Sequence, residues 1–285
     1  MKFLHIHEHP GRMTASVLSW FLFAVGVVSY FLVAQHRHLD NPDERVMPTA
    51  TQMVQSFADA ALKPAEGEEV ADGSAPPTLW ARITSSMLWK DSAATGRRFL
   101  ISVLLLFPAV LLGLHMAMFP YIGALFLRFI QFFDKIVALS LLPILFIAFG
   151  IDELSKIMLI VVGVAPTIIL DTFNLSKSVP HEQTVKALTL GAGDFAIAYR
   201  IVFKQIFPRV LNGIRLNLKA VMLFLFAGEM IASSDGLAYR IALLRRHMGM
   251  DTIIPYVLWV ALLLFLVDLA MHKLNRRLHP WFQET

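Results

Sequence analysis

No cysteine occurs anywhere in this chain, which excludes disulfides, thiolate metal sites, iron–sulfur clusters and cysteine nucleophiles. Charge is scarce as well: 16% of the residues are Asp, Glu, Lys or Arg, against about 25% in an ordinary soluble domain. The pattern G-x-x-x-x-G-K-[ST] is missing, so the chain has no phosphate-cradling loop of its own. H-E-x-x-H and G-x-S-x-G are missing too, which removes the zincin and nucleophile-elbow signatures. The net charge is +4 and the pI 9.4, yet no Lys/Arg-rich run or aromatic-interleaved basic patch supports nucleic-acid binding. The reading is therefore no enzyme, no metal and no cofactor held by this chain.

What is present is apolar sequence. Hydrophobic residues make up 56% of the chain and its mean hydropathy is +0.62, the composition of an integral membrane protein. A membrane-crossing helix needs roughly 20 mostly apolar residues, and runs of that kind fall at 13–34, 99–119, 157–175, 210–231 and 253–271. A further, less regular one combines an interfacial helix at 119–133 with a short run at 136–150 that Pro143 is expected to kink. The first run is longer than a signal-peptide core and no A-x-A follows it, so it reads as a retained helix. The fold class expected is all-α, a polytopic bundle of about six spans.

Charge assigns the sides. Between Lys177 and Lys219 seven Lys/Arg face two acids, Glu182 and Asp194, which marks a cytoplasmic loop. Lys273, Arg276 and Arg277 place the C-terminus on the same side. Six spans then put the N-terminus there as well. The segment 35–96 carries nine acids against five bases and falls outside, whereas Arg240, Arg245 and Arg246 run against the bias. The expected organisation is a cytoplasmic tail at 1–12, a first span at 13–34, an extracytoplasmic segment at 35–98 and a core at 99–285. Within the outer segment, 47–62 has helical spacing behind Pro48 and Thr49, and 63–78 is an acidic loop rich in Pro, Gly and Ala.

Several polar residues stand out. His5, His7, His9, His36 and His38 flank the first span and are interfacial histidines or metal ligands. Glu229 lies near the outer end of the fifth run. A carboxyl there lines a pathway or holds helices together by hydrogen bonding, because burying a charge in lipid costs on the order of 3 kcal/mol. Asp171 and Asp268 sit nearer the cytoplasmic ends of their runs. From Asp194 to Phe207, Arg200 and Lys204 stand four apart on one face of an otherwise apolar helix. That helix lies at the membrane surface, as a lipid-anchored connector or a docking element.

The same stretch, "LGAGDFAIAYRIVFKQIFPRVLNGIRL", resembles the cytoplasmic EAA loop of ABC importer permeases, through Leu190, Gly191, Ala192, Pro208, Gly213 and Arg215. Beyond it, "AGEMIASSDGLAYRI" is similar to the nitrate/sulfonate/taurine branch of that family through Glu229, Met230, Gly236, Leu237, Tyr239 and Ile241. "LLPILFIAFGIDELSKIMLI" and the terminal "RRLHPW" fit the same branch. There are departures. Val185 and Lys186 leave only Ala187 of the E-A-A triplet, Lys204 stands at the first motif proline, and Asp134–Lys135–Ile136 replaces the usual Arg-Pro pair.

The resemblance implies a type I importer permease of the bacterial cytoplasmic membrane. A loop at about 177–209 would couple it to two copies of an ATPase that uses ATP and Mg, with a second permease copy and an extracytoplasmic solute-binding protein as further partners. Ala187, Leu190, Gly191, Ala192, Asp194, Arg200, Lys204, Pro208, Gly213 and Arg215 form the implied coupling loop, with Gly191 and Pro208 bounding its helix. Pro143, Glu229, Met230 and Gly236 are pathway or gate candidates. The substrate implied is a small anionic or zwitterionic solute of the nitrate, sulfonate, taurine or bicarbonate type. A self-powered secondary transporter and a membrane scaffold subunit are the competing readings.

Overall fold

A computed structural model describes residues 11–40, 46–62 and 86–282. His5, His7 and His9, most of the tail at 1–12 and the acidic loop at 63–78 fall outside the described residues. The elements among the described residues are helices, and the chain divides into two compact units, Met1–Asp59 with Leu244–Pro255 and Ala60–Leu243 with Tyr256–Thr285.

In the smaller unit, α1 (Arg12–Asp40) carries the first candidate span, Val17–Leu39. After it comes α2 (Ala50–Leu62), whose start is a reciprocal cap. Gln52 N–H points to the Thr49 hydroxyl at 3.4 Å and Thr49 N–H donates to Gln52 Oε1 at 2.9 Å, so two backbone donors without helical partners are satisfied at once. Ser56 on α2 donates to Asp251 at 2.7 Å within the same unit.

The larger unit opens with α3 (Met87–Leu105) and α4 (Phe107–Met118), which together form one candidate span. This helix starts twelve residues before the apolar run that announced it. Leu88, Asp91, Thr95, Arg98 and Ser102 follow the three-and-four spacing of one helix face and are all buried. Their polar groups have partners inside the protein, so the helix extends through sequence that hydropathy alone assigns to a loop.

Next come α5 (Pro120–Asp134), a 3-10 turn (Ala138–Leu141) and α6 (Leu142–Phe149). The two arms, Pro120–Asp134 and Ala138–Phe149, meet at 88°. The kink expected at Pro143 is instead at 135–137. Pro143 lies in the first turn of α6, where a backbone N–H has no helical acceptor and proline costs nothing. Counting the bent pair as one crossing brings the candidate spans to six, in agreement with the sequence reading.

At the centre stands α7 (Glu153–Lys177), packed against α3, α4, α5, α6 and α9 (Lys204–Ala232). Its approach to α4 depends on Gly113: a Cβ there would stand 2.5 Å from the Ile169 carbonyl oxygen. Small residues permit such close helix contacts in membranes, where packing replaces the hydrophobic drive. Leu106, Leu114, Ile160 and Leu225, fully buried, mark the core between these helices. The chain then runs through α10 (Leu237–Arg245) and α11 (Met250–Leu278).

Candidate functional site

Between α7 and α9 the chain forms a two-part loop. Its first part is α8 (His181–Thr189). Ala192 N–H donates to Ala187 O at 3.0 Å and Gly191 N–H to Leu188 O at 2.9 Å, the paired bonds that close a helix through a left-handed residue. Gly191 takes that position at φ 82°, where a side chain would be strained. Ala187 is buried, whereas Leu190 is 87% exposed and Phe195 65%. The turn therefore presents apolar side chains outward.

The second part starts with Asp194–Ala196 and continues as a π-helix, Ile197–Phe203, which runs without interruption into α9. Pro208 was expected to end this helix and does not. It lies buried inside α9, one turn past the π-helix. A π-helix shifts the bonding register from i→i+4 to i→i+5, and it ends at Phe203, before the proline. The Pro208 carbonyl is taken by Asn275 Nδ2 at 3.0 Å, from α11. Arg200 and Lys204 are both exposed, and Ile197, Ala198, Val202 and Ile206 are buried opposite them. The amphipathic division read from the sequence is thus present.

The segment is tied to the spans at several points. Tyr199 Oη lies 2.9 Å from His115 Nε2, and His115 Nδ1 lies 2.6 Å from Leu111 O. A carbonyl only accepts, so Nδ1 donates to it, and Nε2 faces the tyrosine hydroxyl. Aromatic contacts extend this link: Phe119 meets Phe195 at 5.2 Å between centroids, Phe203 meets Phe207 at 5.2 Å, and Phe207 meets His279 at 5.6 Å. Further into α9, Arg215 reaches α11, with Nη1 at 2.8 Å from His272 Nδ1 and Nε at 3.4 Å from Asp268. Gly213, two residues before it, faces open space. The loop and the start of α9 are thus in direct contact with α4 and α11.

A second polar centre occupies the other ends of α3, α7 and α9. Glu229 is fully buried. Arg98 Nη1 donates to Glu229 Oε1 at 2.9 Å, and the Thr95 hydroxyl lies 2.9 and 3.0 Å from its two oxygens. The Ala238 N–H donates to Glu229 Oε2 at 3.2 Å, Leu237 N–H to Thr95 Oγ1 at 2.9 Å and Gly236 N–H to Asp91 Oδ1 at 3.1 Å. Three acceptors thereby serve the first N–H groups of α10, where helix ends lack partners and anions are favoured. Gly236, at φ 114°, permits this closeness: a Cβ would lie 2.7 Å from the Glu229 carboxylate. Met230, next to Glu229, is 37% exposed.

The rest of Arg98 is also occupied. Nε donates to Glu153 at 2.5 Å, Nη2 to the other Glu153 oxygen at 2.8 Å, and Nη2 also bonds Asp235. Lys156 Nζ reaches Glu153 at 3.0 Å, and Arg240 Nε reaches Asp91 at 2.9 Å. Burial works against the Arg240 cation, but the hydrogen bond and charge of Asp91 outweigh it and hold its guanidinium above the ordinary pKa.

The sequence reading singled out Glu229 and Gly236, which meet here, and missed Arg98, Asp91 and Thr95. The signal was available: 91, 95 and 98 have helical spacing. It was hidden because they precede the apolar run. Pro143 takes no part in either centre among the described residues.

Comparison with known proteins agrees with this architecture. Residues 109–280 match the family of binding-protein-dependent transport system inner membrane components. The chain is 29% identical over 202 residues to the taurine transport system permease protein of Escherichia coli (strain K12), covering 70% of this chain and 72% of that one. It is 28% identical over 152 residues to a putative aliphatic sulfonates transport permease protein of Bacillus subtilis (strain 168), covering 53% and 55%. Among solved structures, an inward-facing MetNI methionine ABC transporter chain superposes with a TM-score of 0.57 at 16% identity, over 72% of this chain and 99% of that one. With a family match over more than half its length and the importer fold, this multi-pass inner-membrane chain belongs to the binding-protein-dependent transport system inner membrane components and is an ABC importer permease.

Proposed function

We propose that this permease works as a homodimer with two copies of a separate ATPase, and that the loop at 181–207 is where the ATPase docks. The observation that carries this reading is the outward apolar turn around Gly191. Leu190 and Phe195 are exposed on a surface loop whose helices are fixed to α4, α9 and α11. An apolar patch of this kind marks a protein contact. Its rigid attachment suits a lever, since closure of an ATPase dimer has to be converted into helix rotation. Arg200 and Lys204 add a basic rim. Positive charge around this loop and at the C-terminus supports a cytoplasmic C-terminus, and an even number of spans then supports the same side for the N-terminus.

The substrate is a small sulfonate, zwitterionic or anionic, received from an extracytoplasmic binding protein. Support comes from the taurine and aliphatic-sulfonate permeases among its relatives. It also comes from polar groups inside the spans. Thr167 donates to Asp134 at 3.0 Å, Lys135 pairs with Asp134 at 3.0 Å and is largely exposed, and Asp171 is exposed one turn along α7. Ionisable groups at membrane depth face a pathway or a second copy. Carboxylates beside an ammonium suit an amino sulfonate. Glu229 serves the scaffold at the outer end rather than the pathway, since no part of it reaches solvent.

Reconstitution tests the reading. Vesicles holding the permease with its ATPase should accumulate taurine only when ATP is on the loop side and binding protein on the other. Uptake by the permease alone down an ion gradient would overturn it in favour of a secondary transporter.

A further inference from the structure

At the loop end of the bundle, α4, α5 and α7 enclose a cavity of about 500 Å³. Two cations line it, Arg128 and Lys177, on a wall that includes Met116, Ala124, Leu127 and Phe173. Neither cation is paired with a carboxylate among the described residues. This is unusual for an arginine eight residues inside a helix whose sequence, PYIGALFLRFIQFFD, is otherwise almost wholly apolar. Both cations are exposed in the single chain, and a charge carried on a membrane span ordinarily has a partner.

Helix geometry turns both side chains toward this cavity. A helical side chain leans toward the N-terminus of its own helix. Arg128 on α5 therefore leans back toward Pro120, at the loop end. Lys177 is the last residue of α7, which runs the opposite way, and it leans back into the bundle. Its Nζ lies over the Phe173 ring, 5.1 Å from the centroid. Long side chains of this kind carry their charge toward the interface, and both cations line the same cavity beside its apolar wall.

We propose that this cavity binds an anionic phospholipid of the leaflet on the loop side, its phosphate held by Arg128 and Lys177 and its acyl chain along Met116, Leu127 and Phe173. Basic pockets between membrane helices have the chemistry for such headgroups. A lipid seated here braces α5 against α7 beside the loop. The proposal rests on the chain lying in a bilayer, and on the side assigned to the loop only for which leaflet supplies the lipid.

The test uses the full permease–ATPase complex in phosphatidylcholine nanodiscs doped with phosphatidylglycerol, with bound lipid counted by native mass spectrometry. The wild type should retain phosphatidylglycerol over phosphatidylcholine, and Arg128→Gln/Lys177→Gln should retain roughly tenfold less. Arg276→Gln/Arg277→Gln, which keeps the cavity, should retain it fully. No preference in the wild type, or undiminished retention in the cavity variant, would overturn the proposal. Displacement of the lipid by millimolar taurine or inorganic sulfate would also overturn it, by showing a soluble oxyanion site. ATP-driven uptake in phosphatidylcholine alone would leave the permease function standing whatever the lipid result.

Discussion

Arg98 and Glu229 lie 131 residues apart and meet at 2.9 Å with both side chains almost wholly buried. They lie on different helices, and each is the other's buried charge partner in a network that also holds Glu153, Asp235 and Thr95. Removing one partner leaves a buried charge uncompensated, which costs about 3–5 kcal/mol. Arg98→Met should therefore strip the complex of most of its thermal stability in detergent. Arg98→Met combined with Glu229→Met should recover part of that loss, as followed by unfolding of the purified permease–ATPase complex.

Gly236→Ala is expected to act on the same carboxylate. The position has φ 114°, and the added Cβ would stand 2.7 Å from Glu229. Strain of this kind costs about 1–3 kcal/mol. Because Gly236 and Glu229 share the site, Gly236→Ala and Glu229→Gln should be clearly non-additive in a double-mutant cycle, whereas independent sites would add.

Leu190→Asp addresses the loop without touching the core. The side chain is 87% exposed, so stability should change by less than about 0.5 kcal/mol. Copurification of the ATPase should fall sharply. Gly191→Val, which forces a side chain into the left-handed position, should distort the same turn at about 1–2 kcal/mol and weaken the ATPase contact with it.

Tyr199→Phe separates docking from transmission. It deletes one hydrogen bond, to His115, worth about 1 kcal/mol, and leaves the exposed turn intact. ATPase binding should persist while transport per ATP hydrolysed declines, measured as the ratio of uptake to phosphate release in vesicles. Equal loss of both would make Tyr199 a docking residue instead.

Hydropathy and charge carry much of this architecture into the sequence. Five apolar runs and the bent pair become helices because lipid leaves backbone groups no other partner. The loop was legible through Leu190, Gly191 and Ala192, since a left-handed helix end calls for glycine. Three features were not. Met87–Gly96 shows its helix only in the spacing of Asp91, Thr95 and Arg98, because these polar residues find partners more than 50 residues away that hydropathy does not report. Pro208 reads as a terminator, yet the helix continues through it with the proline carbonyl bonded by Asn275, a partner 67 residues away. Pro143 suggests a kink, but the bend falls at Lys135–Val137, next to the charged Asp134–Lys135 gap that separates the runs 119–133 and 136–150.

The most direct test of the docking claim uses the absence of cysteine, because Leu190→Cys creates the only thiol in the chain. A bifunctional thiol–amine reagent applied to the purified complex should join that position to the ATPase in high yield. The yield should change on adding ATP with vanadate, since the docked surface moves as the nucleotide dimer closes. A Leu190→Cys chain that crosslinks to no ATPase, while the complex stays intact and active, would contradict the account.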